Sequence, residues 1–155
     1  MKTLLVYYSR TGNTRMIANA ISESIECDVE EIVEKDKRKG IIGYIKSGYQ
    51  ASRGKVNHIE DSKYDISVYD LLIIGTPVWA SKMSVPVRTY LKKNMEKIPL
   101  LACFCTCGGS GIEKTIEDIS NYVNTTPLAS FGAKSSDIKD GTYKNMIEKF
   151  ASDVI

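Results

Sequence analysis

The stretch from Met1 to Ile25 constrains the fold more than any other part of the chain. Thr3-Leu4-Leu5-Val6-Tyr7-Tyr8 is an apolar run that passes at once into Ser9-Arg10-Thr11-Gly12-Asn13-Thr14, a turn rich in hydroxyls with one glycine. A short apolar run bounded by turn residues predicts a buried strand that ends in a loop. Met16, Ile17, Ala20, Ile21 and Ile25 then recur at three- and four-residue steps, which predicts a helix whose apolar stripe packs back on that strand. Strand, tight loop and helix together place Ser9, Thr11, Asn13 and Thr14 around a helix N-terminus. There the unpaired N–H groups and the positive end of the helix dipole favour an anion, and hydroxyls add donors. Two readings of the loop stand: a phosphate site, or a set of polar residues that only caps a helix.

What the loop lacks narrows the phosphate. A nucleotide-hydrolysing P-loop ends in Gly-Lys followed by Ser or Thr, whereas this loop has Gly12-Asn13-Thr14. A dinucleotide fingerprint carries three glycines after its first strand, and only Gly12 stands here. A terminal monophosphate wrapped by hydroxyls and amides fits better than a triphosphate or a pyrophosphate.

Further along, short apolar runs alternate with helical stripes. Asp28 to Val33, Leu71 to Gly75, Leu100 to Thr106 and Leu128 to Ala133 complete a predicted set of five strands. Between them, Ser84 precedes Pro86 and the stripe Val87, Tyr90, Leu91, with proline tolerated in a first helical turn. Ser110 and Glu113 have capping-box spacing ahead of Ile112, Ile116, Ile119 and Val123. Tyr143, Met146, Ile147, Phe150 and Val154 form the last stripe. Continuous apolar strands separated by amphipathic helices predict a parallel sheet covered on both faces, a three-layer α/β sandwich. With 155 residues, 43% hydrophobic and 26% charged, a single domain spanning 1–155 is expected.

In such a sheet the ligand lies outside the carboxyl ends of the strands, so the loop after each strand is where binding residues belong. The third predicted strand is followed by Thr76-Pro77-Val78-Trp79-Ala80-Ser81-Lys82-Met83, with the single tryptophan of the chain. Its Pro and Ser-Lys neighbours favour a loop position for Trp79 over a core one. The fourth is followed by Cys107-Gly108-Gly109-Ser110-Gly111, small enough for backbone to approach a flat ligand. Tryptophan loop, glycine loop and phosphate turn together suggest an aromatic ring system with a phosphate tail.

The formal net charge of +2 is too small to argue for nucleic acid. The N-terminal apolar run of about five residues falls short of the ~7–15 of a secretory signal core, and no segment approaches the ~20 apolar residues of a membrane span. A cytoplasmic protein with no membrane insertion is the expectation. Cys103, Cys105 and Cys107 alternate along one predicted strand, which makes small buried core thiols a better reading than a metal site; Cys107, at the strand mouth, is the one placed to meet a ligand. Lys35, Lys37, Arg38, Lys39, Lys46, Arg53 and Lys55 form a basic segment, read as solvated lysines and arginines before a docking surface for an acidic partner. His58 lies in a polar stretch and is expected to be exposed.

Tyr8-Ser9-Arg10-Thr11-Gly12-Asn13-Thr14, Ile74-Gly75-Thr76-Pro77-Val78-Trp79 and Thr106-Cys107-Gly108-Gly109 resemble the three cofactor loops of the flavodoxins, which bind flavin mononucleotide (FMN). The similarity runs through the chain and includes Gly43-Tyr44-Ile45-Lys46 and Arg53-Gly54-Lys55. It implies a five-stranded parallel sheet of order 2-1-3-4-5 with flavin at the junction of strands one and three. Residue by residue, it implies that Ser9, Thr11, Gly12, Asn13 and Thr14 hold the phosphate, with Arg10 in the same loop. Thr76, Pro77, Val78, Trp79 and Ala80 would line one side of the isoalloxazine, and Thr106, Cys107, Gly108 and Gly109 its pyrimidine side. A backbone carbonyl of the Trp79-Ala80-Ser81 turn would accept from a proton-bearing ring N5.

The chain departs from the flavodoxin pattern in two respects. Many flavodoxins place a tyrosine after strand four against the outer ring face, and Cys107-Gly108-Gly109-Ser110 offers none. Flavodoxins are usually strongly acidic, whereas this chain has a pI near 8.3, so full reduction is expected to be easier, helped by Lys82. Two functions remain open. One is a carrier working between a reductase and an acceptor protein, as a monomer or weak dimer; the other is a small NAD(P)H-dependent FMN or quinone reductase. A flavin-free phosphate-binding module is the third class, recognisable as colourless protein. A phospho-receiver would need acidic residues where Tyr8 and Ser9 stand, and a tyrosine phosphatase a cysteine in the first loop.

Overall fold

The computed structural model describes residues 1–35 and 58–155. Gly43-Tyr44-Ile45-Lys46, Arg53-Gly54-Lys55 and the basic residues Lys37, Arg38 and Lys39 lie outside the described residues; Lys35 and His58 are exposed. The elements are β1 (Thr3–Tyr7), α1 (Asn13–Ser24), β2 (Asp28–Glu31), β3 (Leu71–Trp79), β4 (Lys82–Met83), α2 (Val85–Asn94), β5 (Leu100–Cys107), α3 (Ile112–Val123), β6 (Ser130–Lys134), α4 (Ser135–Asp140) and α5 (Tyr143–Val154).

The main ladder runs β2-β1-β3-β5-β6, every pairing in it parallel, and β4 folds back antiparallel on β3. Leaving the two-residue β4 aside, this is the expected order 2-1-3-4-5. Successive strand residues point to opposite faces, and both faces are buried. Leu4, Val6, Leu72, Ile74, Leu101 and Cys103 face one core with Val87, Tyr90 and Leu91 of α2 and Ile119 of α3. Leu5, Tyr7, Leu71, Ile73, Ala102 and Phe104 face the other with Ile17 and Ile21 of α1 and Ile147, Phe150 and Val154 of α5. Helices on both faces of a central sheet give the three layers.

Several local expectations need correction. β3 does not stop at Gly75 but continues to Trp79, because Pro77 pairs in register with Thr106 and Val78 and Trp79 pair with Met83 and Lys82. The segment read as a loop is therefore a strand end and a tight hairpin, and Trp79 is a buried core residue, not a loop one. The capping box at Ser110 and Glu113 does not form: Gly111 is the N-cap of α3, at φ 97°, with no side-chain cap. Met16 is exposed, while Ile17 and Ile21 carry the buried stripe of α1. β6 begins two residues later than expected and Leu128 is exposed. The short helix α4 had no clear sequence stripe. No helix among the described residues is long and apolar enough to cross a membrane.

Candidate functional site

β1 delivers its last residue to the carboxyl edge of the sheet, where Tyr8 N donates to Gly75 O at 3.1 Å. The chain then turns through Ser9 to Gly12, where Gly12 N donates to Ser9 Oγ at 3.1 Å. Gly12 sits at φ 106°, a left-handed conformation that a side chain disfavours. Met16 N donates back to Gly12 O at 2.9 Å, closing the first turn of α1. No described side chain caps that turn, so its leading N–H groups stay available as donors at the positive end of a twelve-residue helix.

Thr14 anchors the loop to the centre of the sheet. Its Oγ1 lies 2.8 Å from Thr106 Oγ1, with both residues buried. This pair brings the first loop beside the end of β5, which the register of β3 with β5 also places next to Pro77.

The three predicted loops meet in one cleft of about 260 Å³. Arg10, Thr11, Asn13 and Thr14 line it from the first loop, and Pro77, Val78 and Trp79 from the end of β3. Thr106, Cys107 and Gly108 line it from β5 and beyond, with Ser135 at the start of α4. Other predicted residues stand elsewhere. Ser9 and Gly12 do not line the cleft and are bonded to each other. Thr76 is fully buried, its Oγ1 accepting from Ser84 N at 2.9 Å, so it holds the start of α2. Ala80 is exposed at the hairpin turn, and Gly109 faces a neighbouring cleft of about 500 Å³ with Ser81, Gly111, Lys114 and Lys134.

Sequence reasoning gave Tyr8 no role at the site. Its ring meets Trp79 edge to face, with centroids 5.5 Å apart and planes at 86°, and it backs the indole from the residue just after β1. Ser135 was also missed; its hydroxyl donates to Cys107 O at 3.3 Å. Only topology brings it there, since β6 returns the chain to the same edge of the sheet. Cys103 and Cys105 are buried in β5, and burial pushes the Cys103 thiol up to about 12 and Cys105 in the same direction. Cys107 is half-buried; burial raises its thiol, opposed by the Gly109 N–H and by Lys134.

The donor set suits a phosphate with a flat group attached. At Gly12, Gly108 and Gly109 nothing lies within 4 Å of where a Cβ would stand, so the backbone borders open space. On the other wall, Val78 and Trp79 present apolar surface.

A family profile described as Flavodoxin matches residues 2–131. The chain belongs to the flavodoxin family. Among solved structures, a flavoprotein from Lactobacillus acidophilus in complex with FMN is 22% identical, with TM-score 0.74, over 91% of this chain and 98% of that one. A Bacteroides eggerthii protein classed as a flavoprotein is 20% identical at TM-score 0.74, over 97% of this chain and 98% of that one. Two-electron reduced flavodoxin from Megasphaera elsdenii is 14% identical at TM-score 0.58, over 97% of this chain and 98% of that one. At these identities the likeness is one of fold. No curated protein matches the chain significantly.

Proposed function

We propose that this flavodoxin-family protein binds FMN non-covalently and carries electrons between a reductase and an acceptor protein. It would act as a single domain in the cytoplasm, as a monomer or weak dimer. The observation that carries the reading is the convergence of an uncapped α1 N-terminus, the Pro77–Trp79 strand end and the Thr106–Gly108 segment on one cleft. The flavin supplies one- and two-electron chemistry when bound.

The chain's own residues bind and orient. The N–H groups of the first turn of α1, with the hydroxyl of Thr11, hold the phosphate without a metal. Thr14 belongs to the cradle through its bond to Thr106, which keeps α1 at a fixed distance from β5. Trp79, braced by Tyr8, supplies a rigid apolar wall for the ring, and Pro77 and Val78 extend it. Cys107 and Gly108 let backbone approach the pyrimidine edge. A carbonyl of the Trp79–Ala80–Ser81 turn accepts from the ring's N–H. A chain of pI near 8.3 with Lys82 beside the turn places less negative field on the ring than an acidic carrier does.

One observation favours the second reading, a small NAD(P)H-dependent FMN or quinone reductase. Gly108, Gly109 and Ser110 are all exposed, so among the described residues no bulky side chain follows β5 at the outer wall, which favours a substrate ring stacking there. Mixing the FMN-loaded protein with NADH or NADPH without air separates the two. The carrier reading expects the flavin to stay yellow until a separate reductase is added. Bleaching within seconds by the nicotinamide alone overturns it.

A further inference from the structure

A largely buried ion pair joins α2 to α3. Arg88 of α2 donates through Nη2 to both carboxylate oxygens of Asp118 on α3, at 3.0 and 2.8 Å. Their side chains are 7% and 18% exposed. The guanidinium also sits 4.6 Å from the ring centroid of Tyr122, and its Nε finds no partner among the described residues. A buried pair of this kind adds little net stability over apolar residues of the same volume, because desolvation offsets the attraction. What it adds here is direction. Asp118 Oδ2 is at the same time the acceptor for Met83 N, at 3.1 Å, and Met83 is the last residue of the hairpin that carries Trp79.

That hairpin needs holding. Its turn residues Ala80 and Ser81 stand at φ 51° and 58°, conformations costly for residues with a Cβ. The turn lies close against the start of α3: a Cβ on Gly111 would stand 2.8 Å from Val78 Cγ1 and 3.2 Å from Ser81 Oγ. The hairpin is thus pressed on α3 at Gly111 and tied to it one side chain deeper, at Asp118.

We propose that Arg88 and Asp118 are positioning residues for the flavin: Arg88 fixes the carboxylate, and the carboxylate fixes the Met83 amide and with it the Trp79–Ala80–Ser81 flank of the ring. The proposal rests on the reading of the cleft as an FMN site and assigns a role to residues that do not touch the cofactor. Asp118→Ala removes the acceptor from both donors, since Asp118 Oδ2 takes the Met83 N–H and an Arg88 N–H together. The paired substitution Arg88→Met with Asp118→Leu keeps the volume apolar and leaves only the Met83 amide without its acceptor.

The test measures FMN affinity, riboflavin affinity and flavin midpoint potential, with the thermal stability of each protein alongside. The clamp holds the ring's flank and not the phosphate, so both variants are expected to lose at least tenfold in affinity by a similar factor for FMN and riboflavin, with a shifted potential. The paired variant should do so while unfolding at the wild-type temperature. A folded paired variant with wild-type affinity and potential overturns the proposal. If that variant does not fold, unchanged affinity and potential in folded Asp118→Ala overturn it equally. A wild-type protein that takes up no flavin defeats the reading of the site instead. Hydrogen exchange at the Met83 amide then decides the clamp, with unchanged protection in Asp118→Ala overturning it.

Discussion

Replacing Thr14 with valine separates two jobs that adjacent hydroxyls in the first loop perform. Thr14 Oγ1 and Thr106 Oγ1 are 2.8 Å apart in residues only 2% and 5% exposed, so water cannot readily replace either partner. Thr14→Val leaves the Thr106 hydroxyl buried without its partner, a penalty of about 2 kcal/mol that the added methyl offsets by up to ~0.8 kcal/mol. The balance is a loss of about 1.5 kcal/mol. With a urea m-value of about 1.5 kcal/mol/M, the unfolding midpoint of the FMN-free protein falls by about 1 M. The double variant Thr14→Val with Thr106→Val buries two apolar groups of matched shape and should recover to within about 0.5 kcal/mol of wild type. Thr11 is exposed, so Thr11→Val should leave the urea midpoint in place and weaken FMN binding instead. Urea unfolding followed by circular dichroism, beside a flavin fluorescence titration, reads both quantities. The reasoning fails if Thr14→Val unfolds at the wild-type midpoint, or if the double variant is no more stable than the single one.

Other outcomes follow from the same geometry. Ala80→Gly should raise the unfolding free energy by about 0.5–1 kcal/mol, the left-handed cost of about 1–2 kcal/mol less glycine's extra chain entropy; a loss of stability on thermal unfolding would refute it. Stability should fall as pH rises from about 9 to about 12. Burial lifts Cys103 up to about 12, and burial with the Asp28 carboxylate lifts Tyr69 up to about 12, so the unfolded chain gives up these protons first. Urea midpoints that stay level across that window would contradict this. Cys107 is half-buried in the cleft whereas Cys103 and Cys105 are enclosed, so saturating FMN should slow alkylation of Cys107 severalfold, as read by mass spectrometry. An unprotected Cys107 would count against the ring lying beside it.

Much of this architecture was written in hydrophobic period. Leu71 to Ile74 could only be a strand buried on both faces, and the stripes of α1 and α5 could only be helices, because their apolar spacing repeats over three turns. The end of β3 was not legible in this way. Pro77 looks like a breaker, and the ladder of β3 with β5 does end at its pair with Thr106, yet the strand runs on to Trp79 by pairing with β4 instead. Ala80-Ser81 is a hairpin turn without the Asn-Gly or Gly pair that usually marks one. The tight contact of that turn with Gly111, and the Arg88–Asp118 pair behind it, depend on residues far apart in sequence and leave no local signal. At the first loop the reverse held. Ser9, Thr11, Gly12, Asn13 and Thr14 could be placed around a helix N-terminus by type and position, and only the partnership of Thr14 with Thr106 needed coordinates.

The central claim is that the first turn of α1 grips the phosphate of FMN. Titrating the flavin-free protein with FMN and with riboflavin, which differ by that phosphate alone, tests it most directly. The cradle predicts that FMN binds at least about a hundredfold more tightly, about 2.7 kcal/mol of phosphate recognition. Equal affinity for the two flavins would contradict it.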